Sequence, residues 1–263
     1  MSKKALFSKM NFREQSHFFA QLSNQSYLSP SQVNFSKEPF GYQVSFFSKE
    51  GSQAYLLYDQ DEIIIVCRGT QPSEFHDIAA DLKFRLVPNK FGKGKIHRGF
   101  QESVDKLWDE LICIVRKVYC KQELWICGHS LGAAMALILA FRFQIEDSLP
   151  NPVALYTYGC PRTGNQIFVR ELKTKHFRWV NNADIVTRVP IWPYWHDGQL
   201  CYMNHWGNVR NMTFFQRIKD RIRGFIRGLR NGEINYFINH SIQRYENNLD
   251  TFRKGVEWKQ STL

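Results

Sequence analysis

Apolar and polar positions recur along this chain in two periods, and the change from one to the other marks its elements. Over residues 11–23, Phe12, Phe18, Phe19 and Leu22 stand among polar residues at the spacing of a helix laid over a sheet edge. Two apolar runs, 54–58 and 62–67, are joined by Asp59-Gln60-Asp61, which is the pattern of a β-hairpin. A helical stripe then covers 101–118, carried by Val104, Leu107, Trp108, Leu111, Ile112 and Val115. After it the period changes. Residues 123–127 predict a short buried strand, 131–143 an almost wholly apolar helix, and 153–158 a second buried strand. A further helix is predicted over 166–175 and a further strand over 177–180. Strand, helix, strand in succession, apolar on every face, predicts an α/β fold with a mostly parallel central sheet and helices on both faces.

No internal repeat, low-complexity segment or Pro/Gly/Ser linker divides the 263 residues, so residues 1–263 read as one domain. The composition, 43% hydrophobic and 22% charged, excludes disorder as the overall state. Net charge is +11, of which the last 102 residues carry +9, so acidic partners enter the picture: nucleic acid, an anionic membrane surface or an acidic substrate. No recognised nucleic-acid-binding motif accompanies the charge, and no nucleic acid is expected. Lys3 and Lys4 are followed by Lys9, Arg13 and Glu14, so the N-terminus reads as unprocessed. The least charged run, 124–141, holds His129, Ser130 and two glycines and fails as a membrane span. Six cysteines show no C-x-x-C pair and no zinc spacing, and they read as buried free thiols. Synthesis in the cytoplasm is expected, with peripheral membrane attachment or secretion by a route without a cleaved signal left open.

Between the strand at 123–127 and the helix at 131–143 stands Gly128-His129-Ser130-Leu131-Gly132, a G-x-S-x-G motif in strand-turn-helix context. A turn that tight strains the serine backbone, and the glycines let strand and helix approach. The helix N-terminus beneath it offers backbone N–H groups where a tetrahedral oxyanion forms. A serine hydroxyl also needs a base, itself oriented by an acid. In chain order Ser, acid, His, the slot after the strand at 177–180 is filled by Asp184, while His176, His196, His205 and His240 all follow the serine.

Taken together, the motifs resemble the class 3 lipase family of α/β-hydrolases, from about Tyr27 to Leu249. The pieces occur in the family's order: Val66-Cys67-Arg68-Gly69-Thr70, His97-Arg98-Gly99-Phe100, the elbow Gly128 to Ala134, and Tyr158-Gly159-Cys160-Pro161-Arg162-Thr163-Gly164-Asn165. Asn182-Ala183-Asp184-Ile185-Val186 with Val189-Pro190 follows, and His240-Ser241-Ile242-Gln243-Arg244-Tyr245 with Leu249 closes the series. The resemblance implies an α/β-hydrolase fold and a serine carboxylester hydrolase acting on triacylglycerol or phospholipid, with neither metal nor cofactor. It implies Ser130 as nucleophile, Asp184 as the acid and His240 as the base, with His205 a residual rival. The oxyanion hole would be formed by Leu131 N–H and Thr70. His196, Arg162, Asn165, His129 and Arg98 are expected to support the site. The alternative is a catalytically idle lipase-like fold that binds lipid or protein.

Three stretches depart from the plain pattern. Residues 71–96 fill the family's lid position, with 74–82 a short amphipathic helix and 90–95 a flexible basic hinge by composition; a moving lid and a surface loop are both open. A basic, aromatic insertion is expected over 187–235, where Trp192, Tyr194 and Trp195 either line an acyl pocket or cover the core. Within it, 214–230 is an amphipathic helix with six basic residues against one acid, Asp220. Such a helix either lies in an anionic membrane interface or packs on the body with a solvated basic face.

Overall fold

The computed structural model describes residues 9–37, 40–69, 85–230 and 238–255. The chain opens with α1 (Phe12–Gln25), whose N-terminus is fixed by a capping box: the Asn11 side chain accepts from the Glu14 N–H, and the Glu14 carboxylate from the Asn11 N–H. Three antiparallel strands follow, β1 (Gln43–Lys49), β2 (Ser52–Tyr58) and β3 (Glu62–Arg68). From β3 onward the sheet is parallel. Helix α2 (Arg98–Val118) leads to β6 (Glu123–His129), α3 (Leu131–Gln144) to β7 (Pro152–Tyr158), and α4 (Gln166–Glu171) to β9 (Lys175–Asn181). Strand β11 (Gln199–Met203) closes the far edge, so the seven strands run β1-β2-β3-β6-β7-β9-β11. Two helices follow β11, α5 (Phe214–Arg230) and α6 (Ile242–Arg253).

Alternation along each strand sends side chains to opposite faces, and both faces are dry. Ile63, Ile65, Cys67, Leu124 and Ile126 pack with Val104, Leu107, Leu111 and Val115 of α2 and with α3. Ile64, Val66, Trp125 and Cys127 pack on the other side with Phe19 and Leu22 of α1 and Tyr245 and Leu249 of α6. Helix α3 is apolar almost all round because it is enclosed: every residue from Gly132 to Phe143 is buried. All six cysteines are free, four of them buried. No helix among the described residues is long and apolar enough to cross a membrane.

Several expectations shift in detail. The helix expected over 166–175 stops at Glu171, because Leu172 turns to an extended conformation and the next strand already begins at Lys175. Of the stretch 71–96, residues 71–84, with the helix expected over 74–82, lie outside the described residues. The remainder forms a hairpin of β4 (Leu86–Pro88) and β5 (Lys95–His97). Its basic turn is not a loose hinge. Asn89 accepts from the Phe91 N–H, Lys90 pairs with Asp105, and the Arg142 guanidinium stacks over Phe91. This hairpin joins β8 (Gly164–Asn165) and β10 (Tyr194–Trp195) in a small second sheet. Residues 199–203, inside the stretch read as an insertion, are β11 of the main sheet, held in register by β9.

Candidate active site

The parallel strands end together, β6 at His129, β7 at Tyr158, β9 at Asn181 and β11 at Met203, and the residues just beyond them converge. Ser130, between β6 and α3, has φ 59° and ψ −127°, a conformation that L-residues other than glycine rarely hold. It is held there from both sides. Its N–H donates to the Tyr158 carbonyl at 3.0 Å, and its carbonyl accepts from the Ala133 N–H at 3.0 Å. The turn needs its glycines, for a Cβ on Gly132 would come within 2.2 Å of the Cys67 carbonyl oxygen on β3. Leu131 opens α3, so its N–H belongs to the first helical turn, which has no intrahelical acceptor. Thr70, its expected partner in an oxyanion hole, lies outside the described residues.

His240, in a 3-10 turn before α6, presents Nε2 to Ser130 Oγ at 2.8 Å. Its Nδ1 lies 3.0 and 2.9 Å from the two oxygens of Asp184. Asp184 is fully buried in the turn after β9 and is saturated with donors: Oδ1 accepts from the Val186 N–H and Oδ2 from the Tyr245 hydroxyl, at 2.9 and 2.7 Å. Burial and the neighbouring carboxylate push the Tyr245 phenol well above its ordinary range, so it remains a donor. Tyr245 in turn accepts from the Asn181 N–H at 3.0 Å, tying the end of β9 to α6. Sequence reasoning gave Tyr245 no task, although it stood in the motif that marked His240.

His129 supports the base from below. Its Nε2 donates to the His240 carbonyl at 2.6 Å, which leaves Nδ1 to accept from the Tyr27 hydroxyl at 2.7 Å. Burial, reinforced by the adjacent His240 ring, holds the His129 pKa well below the usual imidazole value, so it stays neutral in this tautomer. A Cβ on Gly159 would stand 2.7 Å from His240 Nδ1 and 2.9 Å from Asp184 Oδ2, so the space between β7 and the His–Asp pair admits only glycine.

Of the expected supporting residues, His196 and Arg162 stand around the acid turn, whereas Asn165 and Arg98 bond elsewhere. His196 Nε2 donates to the Thr187 carbonyl at 2.7 Å, and the Thr187 hydroxyl to the Asp184 carbonyl at 2.9 Å. Arg162 holds the carbonyls of Arg188 and Pro190, and Asn165 Oδ1 accepts from the N–H groups of Lys95 and Phe168. Arg98 pairs with Glu102 one turn along α2. His205 is engaged elsewhere, paired with Asp220 of α5. Of the aromatics, Tyr194 is buried in the small sheet with its ring 6.0 Å from His97, Trp195 is half exposed, and Trp192 is 82% exposed. Among the described residues, no group of three or more His, Cys, Asp or Glu side chains could hold a metal ion.

A family model for class 3 lipases matches residues 64–194, the span from β3 to β10 that carries the elbow and the acid turn. The chain belongs to the class 3 lipase family. The toxin TseL of Vibrio cholerae is 38% identical over 116 residues, which cover 41% of this chain and 17% of that protein. A lipase of Rhizomucor miehei is 36% identical over 137 residues, covering 49% of this chain and 37% of the relative. These matches therefore span well under half the length of either curated relative. The solved triacylglyceride lipase of Rhizomucor miehei superposes with a TM-score of 0.65 at 26% identity, over 74% of this chain and 82% of that one. The class 3 lipase assignment agrees with the observed sheet: mostly parallel, covered on both faces, and of the α/β-hydrolase type.

Proposed function

We propose that this chain is a serine carboxylester hydrolase that cleaves acyl esters of lipids, triacylglycerol or phospholipid, through an acyl-enzyme. One observation carries the reading: a serine at positive φ on a strand-to-helix turn stands 2.8 Å from an imidazole whose other nitrogen meets a buried carboxylate. Ser130 Oγ attacks the acyl carbonyl carbon as its proton passes to His240 Nε2. Asp184 keeps the Nδ1 proton in place and stabilises the imidazolium. The carbonyl oxygen, now an oxyanion, is met by the Leu131 N–H and by Thr70. Collapse breaks the C–O bond to the alcohol, which leaves with the proton from Nε2. Water then repeats the cycle on the acyl-enzyme and frees the acid. Membership of a lipase family supports the lipid class of substrate.

The protein is made in a reducing compartment on this reading, supported by its six free thiols; burial pushes those of Cys127, Cys160 and Cys201 up to about 12. Its working place is the lipid surface, met through residues 214–230.

A fluorophosphonate probe tests the assignment. Wild type should be labelled at Ser130 and lose the label in Ser130→Ala, together with all ester turnover. Labelling that persists in Ser130→Ala overturns the nucleophile, and a wild type with neither label nor turnover is an idle lipase-like fold.

A further inference from the structure

Amphipathic helices of globular proteins bury the apolar stripe and expose the charged one. Helix α5 leaves its apolar stripe exposed and buries its one acid. Polar contacts hold it to the body: buried Asp220 accepts from the Tyr202 hydroxyl at 2.9 Å and the His205 N–H at 3.1 Å, and pairs with the His205 imidazole. Arg221 Nε donates to the Asn182 carbonyl at 3.3 Å, and a Cβ on Gly224 would lie 2.3 Å from Asn182 Nδ2. At about 100° per residue, positions 220, 221 and 224 share one side of the helix. Phe215, Ile218, Ile222 and Ile226 lie away from it, and all are exposed, Phe215 to 79%; Phe214 at the helix start is exposed as well. Lys219 and Arg223, exposed and one turn apart, border that apolar side.

A second exposed apolar point follows the acid turn in the chain. Ile191 and Trp192 are 72% and 82% exposed at the tip of the segment after the acid turn, which Arg162 braces through the Pro190 carbonyl at 2.7 Å. Both features follow carboxyl ends of strands, Ile191 and Trp192 after β9 and α5 after β11, the same edge that presents Ser130.

We propose that α5 and the Ile191–Trp192 tip form a docking surface for an anionic lipid bilayer. The apolar side chains enter the interface, while Lys219 and Arg223 meet phosphate headgroups. Charge decides the occupant. The helix has one acid, Asp220, and it is turned inward, so the charge it shows to solvent is positive. A second copy docked two-fold on this face would set like charges against each other. The surface turns the carboxyl edge towards the lipid; that this delivers substrate rests on the ester-hydrolase reading, whereas the binding does not.

The test uses the full chain as Ser130→Ala, so that vesicles are not consumed, in co-sedimentation with phosphatidylcholine vesicles with and without phosphatidylglycerol. Binding is expected only with phosphatidylglycerol and should weaken with added salt. On the Ser130→Ala background, Lys219→Glu with Arg223→Glu should weaken it at least about tenfold, as should Phe215→Asp with Ile222→Asp. Trp192→Ala, outside the helix, gives an independent smaller loss. In the active protein the helix exchanges at Phe215, Lys219, Ile222 and Arg223 should leave hydrolysis of a soluble short-chain ester unchanged. Equal binding to both vesicle types overturns the proposal, as do charge and apolar variants that bind like their parent. So does self-association that Phe215→Asp abolishes. Vesicle binding without any ester turnover keeps the docking surface and overturns the catalytic reading, and turnover without binding does the opposite.

Discussion

Two relays of the same composition stand one strand apart in this sheet. In the first, Ser130 Oγ lies 2.8 Å from His240 Nε2 and His240 Nδ1 2.9 Å from Asp184. In the second, Thr157 Oγ1 lies 2.8 Å from His176 Nε2 and His176 Nδ1 2.9 Å from Asp197. Both hydroxyl residues are almost completely buried, Ser130 at 1% exposure and Thr157 at 0%, so neither distance nor burial separates them. The backbone does. Thr157 sits within β7, in register with Gly128 on one side and Arg178 on the other, where ladders to β6 and β9 take up the main-chain groups. Ser130 sits at φ 59° on the first turn of a helix, where N–H groups remain for an oxyanion. A hydroxyl–imidazole–carboxylate chain is thus by itself a brace; on the proposed function, the strained elbow is what turns the same chain into a reaction centre.

The acids give the sharpest contrast. Asp184→Asn should lower kcat for a soluble ester by about 10⁴-fold, because the amide favours the wrong imidazole tautomer. Asp197→Asn should leave kcat within about threefold and lower stability instead, by roughly 1–3 kcal/mol for a disturbed buried partner. Comparable losses of kcat in the two variants would erase the distinction.

Next in size is Tyr245→Phe, which removes a donor that, among the described residues, the first relay alone possesses. Asp184 Oδ2 then loses its phenol and the Asn181 N–H its acceptor. A tenfold fall in kcat is expected, equivalent to about 1.4 kcal/mol, with KM for a soluble ester unchanged. A purely structural role would instead show as reduced stability at constant kcat.

The two relays were unequally legible in the sequence. Ser130 could be read because the elbow is local: five consecutive residues between a strand and a helix carry the signal. Asp184 and His240 were reached through chain order and family motifs, with His205 left as a rival. Only tertiary contacts removed it, by placing its ring on Asp220. Of the second relay only His176 was singled out, as one of four histidines after the serine, while Thr157 and Asp197 fall in unremarkable strand and loop positions. Helix α5 shows the same limit. Its period was plain, yet which side met the body depended on Tyr202, Asn182 and His205 from other elements. The 90–95 turn was misread as loose because composition records its lysines and glycines and not the stacking of Phe91 under Arg142.

Acid titration probes the second relay through His176. Burial, outweighing the pull of Asp197, lowers its pKa from 6.5 in the folded protein. The unfolded chain therefore takes up the proton first as pH falls. The stability held by neutral His176 is complete above about 6.5 and drains as pH drops towards the lower folded value. His97, lowered to about 4 by burial, acts in the same direction. Wild type should melt lower at pH 5 than at pH 7. His176→Gln should shallow that slope by at most one proton, about 1.4 kcal/mol per pH unit, while leaving the pH dependence of kcat in place. A variant that shifts the kcat profile would mean that His176 communicates with the reacting site.

The smallest effect is the most exacting. Thr157→Val keeps the shape of the residue and removes the one proton that the second relay could transfer. If Thr157 is a brace, the variant leaves His176 Nε2 without a donor and costs roughly 1–2 kcal/mol of stability, with kcat unchanged within about twofold and fluorophosphonate labelling still at Ser130. The matched exchange in the first relay, Ser130→Ala, should show the converse: no turnover, and a melting temperature close to wild type. A Thr157→Val protein that loses turnover while melting normally would place the chemistry, or part of it, on the wrong side of the comparison. The β7 backbone argues against that, because within the strand the ladders leave no N–H to receive the charge that an attacking threonine would create.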